Sequence, residues 1–350
     1  MIQSASVGYR WCYRIAGFFA RTDLKCITER QIVTMILIWK NWIARTRVDV
    51  QAMKDLRAAA VQMECKLGDV ETNTETILRW CEKSAKEGAE LVCFPELCHS
   101  GHILYNSFAE LSSPDIYDRL WRIAEEVPEG TFAQRMIQAS KRLNTTIGTG
   151  LSEKRNNVVY NTYMLTGPRG FIGKYRKTHI PSAEYPHWTG GYELPVFDIG
   201  NAKVGISTCW DNRYPEVPLI LALKGAEIII MPHAMPYQAP LERAGSKRSF
   251  AARRKKCLTL YPCRAYDNAA FVILVDQVGK PSPKAEYPGL SMLIDPQGEI
   301  IAESKGEEEM IIADFRAEIL ERERSSTYYP LRTRRPELYS PISSPPNQSK

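Results

Sequence analysis

The segment EGAELVCFPE at 87–96 returns as KGAEIIIMPH at 224–233: Gly-Ala-Glu, four apolar residues and a proline recur in one order. Ahead of each copy lies a helical apolar pattern (TETILRWCEKSAKEG; YPEVPLILALKG), and ahead of that a strand-like run (RAAAVQM; KVGISTC). Downstream, TTIGTGLSE and YNTYMLTGPRGFIGKY match AAFVILVDQ and SMLIDPQGEIIAES, with Pro168 to Gly170 and Pro296 to Gly298 as tight turns between paired strands. The runs LVCF and IIIM are short and do not alternate, as expected of strands covered on both faces. Two sheets packed face to face with helices outside satisfy all of this. The expected fold is an α/β, four-layer α-β-β-α sandwich with an internal pseudo-twofold duplication.

Most repeated residues serve folding, so chemistry is sought where the copies differ. After the second strand one copy carries Glu96 and the other His233; the first strands end in Gln62 and Cys209. Cys209 closes an apolar run and precedes a helical pattern, which exposes a side chain at a sheet edge and turns following N–H groups, such as that of Trp210, toward it. A free thiol is mostly protonated near neutral pH, so a nucleophilic cysteine needs a base or a cation beside it; a plain core cysteine needs neither. Glu96 ends LVCFPE, where burial would tune a carboxyl for proton transfer, or where it caps a helix or pairs with a lysine. Lys177, in GKYRKTHIPS, is either a fixed cation for a developing oxyanion or part of a solvated basic face.

Composition narrows the class. Nine cysteines at irregular spacing show no CxxC pair or Cys/His box, which suits reduced thiols in the cytoplasm. Residues 1–52 hold eight Lys/Arg against three Asp/Glu, so they carry five of the six net positive charges and the body is near neutral. No nucleic-acid or membrane partner follows from charge. These residues read as an extension that is a spurious start, a targeting segment or an amphipathic helix, with the body at 53–339 and a loose polar tail at 340–350. IVTMILIW is too short to span a bilayer. The basic stretch RAGSKRSFAARRKK (243–256) reads as a solvated loop and helix, with an anion-attracting lip or subunit contact as the alternative.

FPEL, YRKTHIP and CWDNRYPE, in this order and with these gaps, resemble the three signature segments of the nitrilase, or carbon-nitrogen hydrolase, superfamily. The likeness runs from about Leu56 to Tyr339 and includes RAYDNAAFVILVDQ, GLSMLIDPQGEIIAES and RRPELY. It implies Cys209 as nucleophile, Glu96 as general base and Lys177 as oxyanion cation. Glu184, in SAEYPHWTGG with Trp188 and the glycines following, resembles the family's second glutamate, which orients the lysine and substrate. Nitrile-cleaving members resemble Cys-Trp-Glu, whereas Asp211 stands here, as in amidase and carbamoyl branches. Arg213 sits where carbamoyl-amino-acid hydrolases place a carboxylate-binding arginine, although Asn212 replaces a second arginine of that pattern; a structural bridge to Asp211 or Glu216 is the alternative. Trp210 and His179 are the other candidate substrate contacts. His99, His102, His187 and His233 show no metal-ligand spacing, so neither a metal nor a cofactor is expected.

The resemblance therefore implies a hydrolase that cleaves a non-peptide carbon-nitrogen bond of a small linear amide or N-carbamoyl compound through a cysteine thioester. The alternatives are a nitrilase and a catalytically inactive interaction protein. A homodimer or larger homo-oligomer is implied by the resemblance alone.

Overall fold

The computed structural model describes residues 53–103, 114–182, 184–236, 250–283 and 285–344. The extension 1–52 and residues 345–350 of the tail lie outside the described residues; Ser340–Ser343 form one exposed 3-10 turn.

The first repeat runs β1 (Leu56–Gln62), α1 (Val70–Lys86), β2 (Leu91–Cys93), α2 (Pro114–Ile123), α3 (Thr131–Leu143), β3 (Thr146–Arg155), β4 (Val158–Gly167) and β5 (Gly170–Arg176). The second runs β6 (Val196–Asp198), β7 (Lys203–Ile206), α4 (Glu216–Leu223), β8 (Ile228–Pro232), α5 (Phe250–Asn268) and β9 (Phe271–Val275). A hairpin, β10 (Val278–Ser282) and β11 (Ala285–Pro288), follows, then β12 (Met292–Ile294), β13 (Ile300–Glu303), β14 (Glu309–Phe315) and α6 (Ala317–Ser325). One sheet is ordered β14-β1-β2-β3-β4-β5 and the other β6-β7-β8-β9-β12-β13. Pairing types agree position by position: β1, β2 and β3 are parallel, as are β7, β8 and β9, and every other neighbour is antiparallel. The duplication in sequence is thus a duplication of sheet topology, with the β10-β11 hairpin as an insertion in the second copy.

The repeated Gly-Ala-Glu is a three-part joint. Gly88 and Gly225 take positive φ, +79° and +95°, as the residues after the ends of α1 and α4. Their N–H groups, and those of Ala89 and Ala226, bond back to carbonyls of the last helical turn, which satisfies acceptors that the helix end would otherwise leave open. The glutamates then start the strands. Glu90 Oε2 accepts from Arg57 N at 3.2 Å, and Glu227 Oε2 accepts from Lys203 N at 2.7 Å. The same joint fixes the strand registers, pairing Ala58 with Leu91 and Val204 with Ile228. Those registers correct one comparison of strand ends. Met63, rather than Gln62, matches Cys209, because Ala58 and Val204 hold equivalent register positions and Met63 and Cys209 each follow at the same remove.

Layering follows from the two-residue period of strands. Ala58 and Ala60 face the second sheet, where Phe271, Ile273 and Val275 meet them, and Phe271 stacks on Phe315 at 4.3 Å. Ala59 and Val61 face outward against Ile77 of α1 and Phe132 and Met136 of α3. Val272 and Leu274 likewise cover Val217 of α4 and Cys257 and Tyr261 of α5. The four layers place the carboxyl ends of β2, β5 and β7 at one edge. Of the basic stretch, residues 243–249 lie outside the described residues. Lys255 and Lys256 of α5 are exposed as expected, but Arg253 is buried and paired with Asp276 after β9, so the solvated-face reading fails there. Among the described residues no helix is long and apolar enough to cross a membrane.

Candidate active site

Glu96 lies on the turn after β2 and is fully buried. Gly150 of β3 makes room for that turn: a Cβ there would meet Leu97 N at 2.4 Å. Lys177 is the first residue past β5, also fully buried, and its N–H donates to Asn161 O of β4 at 2.9 Å. Cys209 opens a 3-10 turn (Cys209–Arg213) after β7 with φ +51°, a conformation unfavourable for a non-glycine residue and imposed by its surroundings. Glu184 sits buried on the loop beyond Lys177. Four residues from four parts of the sequence thus share one edge of the sandwich.

Hydrogen bonds join Glu96, Lys177 and Glu184 into one cluster, and Cys209 lies in the field of all three. Lys177 Nζ donates to Glu96 Oε1 at 2.8 Å and to Glu184 Oε2 at 3.0 Å. Asn161 Nδ2 donates to the same Glu96 oxygen at 2.7 Å, and His102 Nε2 lies 3.2 Å from Glu184 Oε1. Among the described residues Glu96 Oε2 has no hydrogen-bond partner. Burial alone would lower the Lys177 pKa, but the Glu184 and Glu96 carboxylates outweigh it and hold the ammonium charged. Burial would likewise raise Glu184, yet Lys177 and then His102 pull it down to about 2. The Cys209 thiol is pushed well up, first by burial and then by Glu96, with Lys177 opposing. The resting thiol is therefore protonated, with the Glu96 carboxyl and the Lys177 ammonium in its field.

Ligand atoms of Glu96, His102 and Glu184 lie within 4.8 Å of one another, a donor set that could suit a metal ion by type. Lys177 Nζ bonds both carboxylates, so an ion would have to displace a buried ammonium.

Asp211 ties the lysine arm to the cysteine turn. Its Oδ2 accepts from Tyr175 Oη at 2.6 Å and Thr208 N at 3.0 Å. Its Oδ1 accepts from Thr178 Oγ1 at 2.9 Å and His179 N at 2.8 Å, with His179 Nδ1 also at 2.8 Å. His179, a candidate substrate contact, is thereby turned to Asp211 and stacked on Tyr214; it does not line the cavity beside Cys209. Trp210 does not line it either, and its ring underlies the Arg213 guanidinium at 5.1 Å. Arg213 does line the cavity and forms no ion pair with Asp211 or Glu216 among the described residues. The cavity, about 20 Å3, has room for a water molecule. A larger cleft of about 360 Å3 by β10 and β11 contains none of these residues.

His102, Asn161 and the role of Asp211 as a tie were not found in the sequence. Their partners lie 82, 65 and up to 36 residues away, and no local pattern marks them.

Residues 57–322 match the family model described as carbon-nitrogen hydrolase. A nitrilase of Pyrococcus abyssi is 32% identical over 264 residues, covering 74% of this chain and 89% of that protein. An N-carbamoylputrescine amidase of Solanum lycopersicum is 27% identical over 295 residues, covering 80% and 92%. The crystal structure of a carbon-nitrogen hydrolase from Helicobacter pylori superposes with a TM-score of 0.71 over 84% of this chain and 99% of that one, at 23% identity, a likeness of fold. With the duplicated sandwich and the buried Glu-Lys-Cys cluster already in view, the match over most of the body shows that this chain belongs to the carbon-nitrogen hydrolase family.

Proposed function

We propose that the chain cleaves a non-peptide carbon-nitrogen bond of a small linear amide or N-carbamoyl compound through a thioester on Cys209. The observation that carries this reading is the placement of Cys209 in the field of one carboxylate with a free oxygen, Glu96, and one ammonium held charged, Lys177. Glu96 takes the thiol proton as sulfur attacks the carbonyl carbon, and Lys177 holds the resulting oxyanion. When the tetrahedral species collapses, the carbon-nitrogen bond breaks and Glu96 returns the proton to the leaving nitrogen. Glu96 then deprotonates water, which attacks the thioester and releases the acid and the thiol. Glu184 keeps the ammonium in place, and Arg213 meets the substrate at the cavity mouth.

Asp211 supports the amide and carbamoyl reading over the nitrile one only through the resemblance, since nitrile-cleaving members resemble Cys-Trp-Glu at this place. Incubation with an amide, a carbamoyl amino acid and a nitrile, with ammonia, carbon dioxide and acid product measured, tests the proposal. Ammonia from the amide, or ammonia with carbon dioxide from the carbamoyl compound, is expected. Turnover of the nitrile alone would favour a nitrilase, and no turnover of any of the three an interaction protein.

A further inference from the structure

His102 lies on the same connection as Glu96, six residues on, and is 1% exposed. The chain between them is pinned. Phe94 N and His99 N donate to Gly148 O and Gly150 O of β3 at 2.9 and 3.1 Å, and Ser100 O accepts from Gly68 N at 2.8 Å. Gly101 takes φ +64°, and a Cβ there would meet Leu67 Cδ2 at 3.1 Å and Cys65 O at 3.2 Å, so the turn that delivers the His102 ring has little room to shift. The imidazole reaches across to the loop beyond Lys177. Its Nε2 is 3.2 Å from Glu184 Oε1, and the ring stands edge-on to Trp188 with centroids 5.2 Å apart. Trp188 N donates to Glu184 O at 3.1 Å, so one short turn supplies both the acceptor and the wall for the ring. Glu184 is ionised at neutral pH, and a carboxylate only accepts, which puts a proton on His102 Nε2. The hydrogen bonds then close on themselves. Lys177 Nζ donates to Glu96 Oε1 and Glu184 Oε2, His102 Nε2 donates to Glu184 Oε1, and the pinned backbone returns from His102 to Glu96. With lysine on one oxygen and histidine on the other, the Glu184 carboxylate has one orientation, and the ammonium follows it.

We propose that His102 is a positioning residue whose Nε2–H fixes Glu184 and, through Glu184, the Lys177 ammonium that serves Cys209. The proposal deepens the proposed function and rests on Cys209 being the nucleophile. His102 does not line the cavity beside Cys209, so its effect on the reaction passes through Glu184. Without the imidazole the carboxylate can turn and the ammonium shifts with it; a misplacement of about an ångström costs up to about 10²-fold in rate. Glutamine at 102 still offers an N–H to Glu184, whereas alanine offers none. A role confined to holding the fold would add its cost whatever stands at 184. A role exercised through Glu184 disappears once that link is cut, and Glu184→Gln cuts it, because a single amide oxygen cannot serve both donors.

Two measurements on the full-length chain test this: NMR of protein labelled with 15N at histidine, and the rate at which chloroacetamide alkylates Cys209, followed by peptide mass. The wild type is expected to show His102, assigned by its absence from His102→Gln, with Nε2 protonated and a signal that moves in Glu184→Gln. His102→Ala is expected to slow alkylation about 10- to 100-fold, with His102→Gln between it and the wild type. The double variant His102→Ala, Glu184→Gln is expected to react within about twofold of Glu184→Gln alone. A bare Nε2, alkylation of His102→Ala at the wild-type rate, or losses that multiply in the double variant overturns the proposal. Should the alanine variant fail to fold, His102→Gln and the Nε2 signal decide without it. Cys263, an exposed thiol, serves as the internal standard. A wild-type chain labelled at Cys263 and not at Cys209 defeats the nucleophile reading and the proposal with it, whereas a labelled Cys209 indifferent to residue 102 defeats only the role of His102.

Discussion

Replacing Lys177 by alanine is expected to lower kcat/KM by about 10²- to 10³-fold or more, with most of the loss in kcat, because a lost oxyanion donor alone costs that much. The geometry makes the loss a double one. Lys177 donates to both Glu96 and Glu184, all three side chains are buried, and its ammonium holds both carboxylates where they are. Without it two buried acids are left uncompensated, and breaking a buried pair in this way destabilises by about 3–5 kcal/mol. The same mutation should therefore lower the urea midpoint. Arginine should not restore activity, since its planar fork is larger and distributes its donors differently. Steady-state kinetics and urea titration of the two variants, against wild type, check this; a variant at wild-type activity would remove Lys177 from the reaction.

Asp211→Asn is expected to cost about 10- to 100-fold in kcat, on the scale at which an ångström of misplacement matters, and about 1–3 kcal/mol of stability for each buried donor left unpaired. Asp211 receives backbone N–H groups from both Thr208 and His179, on either side of the site. An amide can accept at one oxygen only, so one of those N–H groups faces an NH2. The loop carrying Lys177 and the turn carrying Cys209 then lose their common anchor. Asp211→Glu keeps the charge and tests length. It should fall between wild type and Asn in kcat with KM little changed, whereas a purely structural role would leave active-site kinetics alone once the protein is folded.

The sheet architecture was legible because its signals are local and come twice. Gly-Ala-Glu, the apolar runs and the turns at Gly170 and Gly298 each depend on neighbours a few residues away. Repetition exposed the strand-helix-strand unit and its doubling, while the strand order came from the structure. The positions of Glu96, Lys177 and Cys209 were legible because each sits just past a strand, where side chains of one edge converge. The partners that fix them were not. Asn161, His102 and the anchoring role of Asp211 depend on contacts that only the closed sandwich brings together. Arg253 was misread for the same reason: a basic run looks solvated until one member turns inward to Asp276. The equivalence of Glu96 and His233 was visible in the repeat, but the contacts of His233 with Tyr261 and Asn212 were not.

Acid-quenched intact mass during turnover of an amide and carbamoyl panel, with peptide mapping, tests the shared acyl-transfer site most directly. The expected result is an acyl mass on the peptide holding Cys209, gone in Cys209→Ala together with turnover. Turnover that persists undiminished in Cys209→Ala, with no acyl mass on that peptide in the wild type, would contradict it.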